Sequence, residues 1–513
     1  MNLLKSLISV SIMTLISRVL GFFRDVLIAN TFGTSMFTDA FFIAFKISNF
    51  LRCIFSEGVF CQSFVPVLMK YKTQKNGKCI KNFISSVLSL MILILIIITV
   101  LGIVWSRYLI LISAPGFAKS PDLLKVSVHL LQIMFPYIFF VSLSSFFSSI
   151  LNSWGYFSIP AFSPCLLNIS IIIFSIFFSS YYSPRIISLA WSVTIGGCFQ
   201  LFYQCLYLYK INMLVIPKIN FKNIGLLRVL KKIVPSILGS SANQISLIFN
   251  NIFISLLNFG SVSWMYYADR LIEFPIGILG VSLSTVLFSF FSKSYYINKS
   301  EFKSLLNSGL KIGLIFSLPS SVILFFLSKP LVIVLFKHGK FTDFDVLMIH
   351  KILEAYSFGL VSFILIKILS SAFYSFEEIK IPVNISIFTL FLTQAMNPIL
   401  IFYFQQVGLA LSISISGWMN FFFLFWKLNQ KKLICFKYKD LIFFVRLIFS
   451  ILTMIFFLFF TLNFMPSWEV GSFFYKLVRL LFVLFISGAS YLISLYFLGI
   501  RLLNFSCLSL KIK

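Results

Sequence analysis

The sequence predicts an all-α polytopic membrane protein of about fourteen transmembrane helices, arranged as two six-helix lobes related by a parallel repeat plus two C-terminal helices. Three observations lead there. Of 513 residues, 59% are hydrophobic and only 11% charged, against about 25% charged in a soluble domain. A hydrocarbon core about 30 Å thick needs about 20 mostly apolar residues per helix, and such stretches recur along the whole chain between short polar breaks. Finally, landmarks of the first half return in the second at a nearly constant spacing.

In chain order the expected spans cover 7–31, 35–57, 84–106, 126–150, 159–180, 186–209, 234–258, 264–291, 310–330, 347–373, 382–404, 407–426, 441–464 and 473–499. The first begins like a secretory leader, with Lys5 ahead of an apolar run. Arg18 and Arg24 interrupt that run and no small-x-small cleavage site follows, so it is expected to stay as an uncleaved first helix.

The repeat rests on four matches. "AFKISNF" (Ala44–Phe50) pairs with "ADRLIEF" (Ala268–Phe274), and Gly58-Val59 with Gly280-Val281. The loop "APGF" around Gly116 pairs with "KHGKF" around Gly339, and "SWGYFSIP", ending at Pro160, with "SFEEIKIP", ending at Pro382. Four matches in order define a lobe over 1–215, a second over 216–432, and a remainder, 433–513, holding helices 13 and 14. An even number of spans per half makes the repeat parallel, with a cleft between halves and alternating access as the natural motion.

The charge balance is +28, from 42 Lys plus Arg and 14 Asp plus Glu. In a soluble chain this would suggest nucleic acid. Here many lysines fall in alternate loops, between 70 and 81, 210 and 232, 293 and 303, and 427 and 439, as positive-inside topology requires. Those loops mark the cytoplasmic face, and helix parity places both termini there. The eight cysteines form no CxxC pair, and His129, His338 and His350 lack a spaced second ligand, so no metal site is expected. No GxxxxGK[ST] loop or GxSxG elbow occurs, which argues against those two enzyme classes.

Charges within the spans are concentrated in three helices. The first carries Arg18, Arg24 and Asp25; the second carries Asp39, Lys46, Arg52 and Glu57; the eighth carries Asp269, Arg270 and Glu273. One such group at the bilayer centre costs about 2.5 to 3.5 kcal/mol on insertion scales, so each needs a partner or water. Arg18 and Asp25 are seven apart, as are Asp39 and Lys46, and Phe42 and Asn49 continue the second stripe. Asp269, Arg270 and Glu273 fall in one sector of their helix. Lys46 and Arg270 are equivalent in the repeat, which predicts two cations facing one cleft. Guanidinium groups match phosphate oxygens in bidentate fashion, so an anionic, phosphate-bearing solute is the expected ligand. The bland readings stand beside this one: Arg52 and Glu57 as snorkelling or capping groups, Asp25 and Glu273 as holders of neighbouring arginines.

Four stretches resemble a known family: "SRVLGFFRD" from Ser17, "TDAFFIAFKISNFLRCIFSEGVFCQSFVPVL" from Thr38, "LNSWGYFSIPAFSP" from Leu151 and "SWMYYADRLIEFPIGILGV" from Ser263. They are similar to the MurJ (MviN) family of bacterial lipid II flippases, within the multidrug/oligosaccharidyl-lipid/polysaccharide exporter superfamily. The resemblance implies a transporter rather than an enzyme, in the bacterial inner membrane. It implies that lipid II, an undecaprenyl-diphosphate-linked disaccharide peptide, places its headgroup in the cavity and its tail in a groove involving helices 13 and 14. It also implies that Arg18, Arg24, Arg52 and Arg270 match essential cavity arginines, and that Asp39, Lys46, Glu57, Ser263 and Asp269 match other polar sites. Asp25, Asn49 and Glu273 are, from their spacing alone, expected to support or gate them. Cys53 departs from the family, where a second basic residue commonly follows the arginine.

No cofactor is expected, and membrane potential or an ion gradient supplies the drive. Helices 7, 11 and 12 hold no carboxylate, which leaves a sodium site there unsupported. Expected partners are lipid II, membrane lipids and cell-wall synthesis proteins. Three other readings compete with this one. A cation-coupled drug exporter of the same superfamily should favour acids over arginines. A membrane polymerase would depend on Asp122, Asp343 or Asp345 in the outer loops. A non-transporting scaffold leaves buried arginines unexplained.

Overall fold

The computed structural model describes residues 3–55, 59–74, 77–218, 225–226, 246–297, 299–434 and 438–500. Among these residues the secondary structure is entirely helical. The chain forms two compact units, one of Met1–Ser263 with His338–Phe341, the other of Trp264–Lys337 with Thr342–Lys513.

The first unit contains α1 (Leu3–Phe32), α2 (Met36–Phe55), α3 (Val59–Gln74), α4 (Gly77–Val104), α5 (Ser106–Ser113), α6 (Pro121–Met134), α7 (Tyr137–Ser153), α8 (Ser158–Ile173), α9 (Ile187–Lys210) and the short α10 (Ser246–Ser255). α1 stops at Gly33, whose φ of 66° and amide bond to the Ala29 carbonyl turn the chain out of the helix. Two residues on, Ser35 and Thr38 exchange side-chain bonds with each other's amides and start α2. The expected span 126–150 is interrupted between α6 and α7 at Phe135-Pro136, where proline removes an amide donor. Phenylalanines fill the interior. Phe64, Phe83 and Phe146 are fully buried, with Phe64 stacked on Phe83 at 5.6 Å and tilted against Phe146 at 5.0 Å between ring centroids. Small residues set the helix spacing, since a Cβ on Gly197 of α9 would come within 2.6 Å of the Tyr137 ring.

The second unit contains α11 (Ser261–Pro275, from Trp264 on), α12 (Ser282–Ile297), α13 (Lys299–Phe326), α14 (Ser328–Phe336), α15 (Asp343–Ser375), α16 (Lys380–Gln430), α17 (Tyr438–Phe464) and α18 (Phe473–Phe497). α11 runs into α12 through a widened turn over Ile276–Val281 just after Pro275, so the expected span 264–291 is two helices in series. α15 is the buried axis of this unit. Gly359 and Gly417 let α16 approach it, because a Cβ there would come within 2.6 to 2.7 Å of Ser414 Oγ and Ser362 Oγ. α17 and α18 pack on α13, where the Tyr491 hydroxyl donates to the Ile315 carbonyl at 2.7 Å and Lys311 pairs with Asp440 at 2.5 Å.

Nine helices among the described residues are long and apolar enough to cross a membrane, fewer than the fourteen spans drawn from the sequence. α16 covers the drawn spans 382–404 and 407–426 together and breaks only at Gln405, with φ 50° and ψ −130°. α1 and α2 coincide with drawn spans but each carries three charged residues within its described side chains. Of the span 234–258, residues 246–258 are described, which hold α10 and the turn after it, and residues 227–245 lie outside the described set.

Candidate functional site

On α1, Arg24 and Asp25 are both buried, 7% and 2% exposed. Arg24 Nε and Nη2 donate to Asp25 Oδ1 at 3.0 and 2.7 Å, while Nη1 donates to Asn168 Oδ1 on α8 at 3.0 Å. Asn168 Nδ2 donates in turn to the Ser17 carbonyl at 3.1 Å. Arg24 therefore ties α1 to α8. Arg18 is different: it is exposed and makes no hydrogen bond or ion pair among the described residues. The Arg18–Asp25 stripe is thus divided, with Asp25 engaged by its neighbour and Arg18 open to a ligand.

On α2, Asp39 is 1% exposed. Its Oδ2 accepts the Gly260 amide at 2.6 Å, and its Oδ1 accepts the Ser263 amide at 2.9 Å and the Ser263 hydroxyl at 2.5 Å. These amides lie at the start of α11, so the carboxylate caps that helix at the positive end of its dipole. Asp39 and Ser263, expected as substrate ligands, are engaged with each other. Lys46 is half-buried and donates to Asn251 Oδ1 on α10 at 3.2 Å. Phe42 is fully buried, and Asn49 accepts Arg52 Nε at 2.7 Å one turn along. Glu57 and the Cys53 side chain lie outside the described residues.

The two glycine loops matched in the repeat reappear as matched contacts. The Gly116 amide donates to Ser255 Oγ at 3.2 Å, and a Cβ there would meet the Ser255 carbonyl at 1.8 Å. Gly339 has a φ of 61°, a Cβ there would come within 2.5 Å of the Asn30 carbonyl, and the next amide, of Lys340, donates to that carbonyl at 3.1 Å. Asn30 ends α1 much as Ser255 ends α10.

In the second unit Arg270 and Glu273 of α11 pair with each other, while Asp269 has its partner on another helix. Asp269 is hydrogen-bonded by the buried Tyr356 of α15. Arg270 Nη1 donates to Glu273 Oε2 at 2.9 Å and Nη2 to the Tyr266 hydroxyl at 3.2 Å, with the guanidinium 4.9 Å from the Tyr266 ring centre. Trp264 Nε1 donates to Asp345 Oδ1 at 2.8 Å. Asp345 also completes a capping box with Thr342 at the start of α15, which gives that outer-loop carboxylate a structural use.

Comparison with known proteins follows the same lines as the four sequence stretches. The family described as "Lipid II flippase MurJ" matches residues 28–479. A relative from Buchnera aphidicola subsp. Schizaphis graminum, described as "Probable lipid II flippase MurJ", is 67% identical over 507 residues, covering 99% of each chain. The chain belongs to the MurJ family. A "Lipid II flippase MurJ" from Burkholderia cenocepacia is 38% identical over 436 residues, 84% of each chain. The solved structure "Lipid II flippase MurJ, inward closed conformation" superposes with a TM-score of 0.80 at 30% identity, over 95% of this chain and 98% of that one. An inward-facing multidrug resistance MATE transporter of the MOP superfamily gives 0.69 at 14% identity, over 83% and 98%, which is a likeness of fold alone. With its apolar helices, this member of the MurJ family is a multi-pass membrane protein.

Sequence reasoning missed Asn168, Asn251, Tyr266 and Tyr356, which hold Arg24, Lys46, Arg270 and Asp269. The available signal was polarity in apolar surroundings: Asn168 stands in "CLLNISIII", and a buried amide in such a run needs a hydrogen-bond partner.

Proposed function

We propose that the protein flips lipid II, the undecaprenyl-diphosphate-linked disaccharide peptide, from the cytoplasmic to the outer leaflet of the bacterial inner membrane by alternating access, with both termini cytoplasmic. The observation that carries this is the 67% identity, over 99% of both chains, to a protein described as a probable lipid II flippase. In this reading Arg18, Arg52 and Lys46 engage the diphosphate, and Arg18 is the first of them, being exposed and without a protein partner among the described residues. Arg270 engages substrate while Glu273 and Tyr266 hold its fork. Arg24, Asp25, Asp39 and Ser263 position the helices that carry these cations, Asn49 orients Arg52, Asp269 steadies α11 through Tyr356, and Glu57 is a further polar site. The lobes 1–215 and 216–432 are the moving parts, and 433–513 supports the polyprenyl tail. Membrane potential acting on the cations, at about 2.3 kcal/mol per charge per 100 mV, or an ion gradient drives the cycle. Cell-wall synthesis proteins consume the product.

The test is complementation of a bacterium depleted of its own flippase. The wild-type chain is expected to restore growth, whereas Arg18→Ala and Arg270→Ala at matched membrane abundance are expected not to. Failure of a well-inserted wild type would overturn the flippase reading. Rescue by both variants would remove the charged residues from the mechanism.

A further inference from the structure

α15 begins at its Thr342–Asp345 capping box, so Lys351, Glu354 and Phe358 follow at spacings that put them on one face. Opposite that face α16 reverses at Gln405, in a left-handed conformation, and Gln406 Nε2 donates to Met348 Sδ at 2.9 Å, fixing the reversal against α15. Between them lies an open pocket of about 700 Å³ lined by Phe325, Lys351, Glu354, Phe358, Tyr403 and Gln405. Its two charges are of opposite sign and one turn apart. Lys351 is exposed and makes no hydrogen bond or ion pair among the described residues. The Glu354 carboxylate is about one-third exposed, its near neighbour being His350 Nε2 at 3.6 Å, and His350 Nδ1 lies 2.7 Å from Ser328 Oγ.

Depth identifies the surroundings. A helix the length of α15, 33 residues, is about 50 Å long, whereas hydrocarbon is about 30 Å thick, so a centred helix extends about 10 Å beyond it at each end, and Lys351 and Glu354, about 12 and 17 Å from the helix start, stand just inside the headgroup boundary, within reach of it for long polar side chains. The α16 reversal agrees: Tyr403 at its tip is 72% exposed, as are the tyrosines of the aromatic belts at membrane interfaces.

We propose that this pocket binds an aminophospholipid of the surrounding bilayer, with its phosphate on Lys351, its primary ammonium on Glu354 and the start of an acyl chain along Phe325 and Phe358. Two methylenes separate ammonium from phosphate ester, a reach comparable to the about 5–6 Å between neighbours at i and i+3 on a helix. Tyr403 and Gln405 offer hydroxyl and amide groups to the glycerol esters. A glycerol headgroup would leave Glu354 without a cation, and a choline headgroup has no N–H to donate.

Native mass spectrometry of the purified full-length protein tests this with phosphatidylethanolamine, phosphatidylglycerol and phosphatidylcholine of identical acyl chains. Wild type is expected to retain the ethanolamine lipid about tenfold over the other two, the ratio of a charge-assisted bond. Glu354→Gln should bring it down to the level of phosphatidylglycerol, and Lys351→Gln should weaken all three. Equal retention of the three lipids by wild type, or an ethanolamine preference that survives Glu354→Gln, overturns the proposal. The wild-type ranking decides even if a variant fails to insert.

Discussion

Asp39 and Ser263 are 224 residues apart, the offset that aligns Ala44 with Ala268 in the repeat, and they are hydrogen-bonded to each other through both the amide and the hydroxyl of Ser263. Two equivalent positions of a duplicated sequence thus meet, one supplying the carboxylate and the other the helix start. Removing the carboxylate leaves two amides and a hydroxyl in a buried place. Asp39→Ala is expected to cost about 2–4 kcal/mol and Ser263→Ala about 1 kcal/mol, since the latter keeps the amide bond. Thermal unfolding of the detergent-solubilised protein measures the order, and equal stability of Asp39→Ala and wild type would refute the cap.

The Arg24–Asp25–Asn168 network predicts a different pattern. Asp25→Leu leaves a buried guanidinium with its main anion gone, for an expected cost of about 3–5 kcal/mol, whereas replacing both members with apolar residues of similar volume should cost less. A double-mutant cycle with Arg24→Met and Asp25→Leu checks this. Additive losses would mean that the two residues act independently.

Arg18 and Arg24 should separate function from stability although only six positions divide them. Arg18→Ala is expected to change unfolding stability by no more than about 0.5 kcal/mol, as an exposed surface change does, and to abolish complementation. Arg24→Ala is expected to lower membrane abundance first. Normal growth with Arg18→Ala would remove that residue from substrate binding.

Gly116 and Gly339 make the last comparison. Each lies against a carbonyl that a methyl group cannot approach, and Gly339 also holds a left-handed backbone. Gly116→Ala and Gly339→Ala are each expected to destabilise the first unit by about 1–3 kcal/mol or more through overpacking. Limited proteolysis of matched samples should show faster cleavage in both variants, and indifference to either would deny its close contact.

Much of this molecule was legible before any coordinates. Hydropathy, the lysine loops, the repeat and the three charged helices led to a polytopic helical protein, because lipid forces every backbone group into helices and makes each buried charge conspicuous. The stretches around Ser17, Thr38, Leu151 and Ser263 led to the family. What the sequence determined by itself was which residues had to be compensated. Only the tertiary structure decided how: Arg24, beyond its neighbour Asp25, by an asparagine 144 residues away, Lys46 by one 205 away and Asp39 by a helix start more than 220 away. Helical periodicity reports which side of its own helix a charge occupies. The partner across the interface depends on which helices pack together and how closely their glycines and serines let them approach, and no spacing within one helix encodes that.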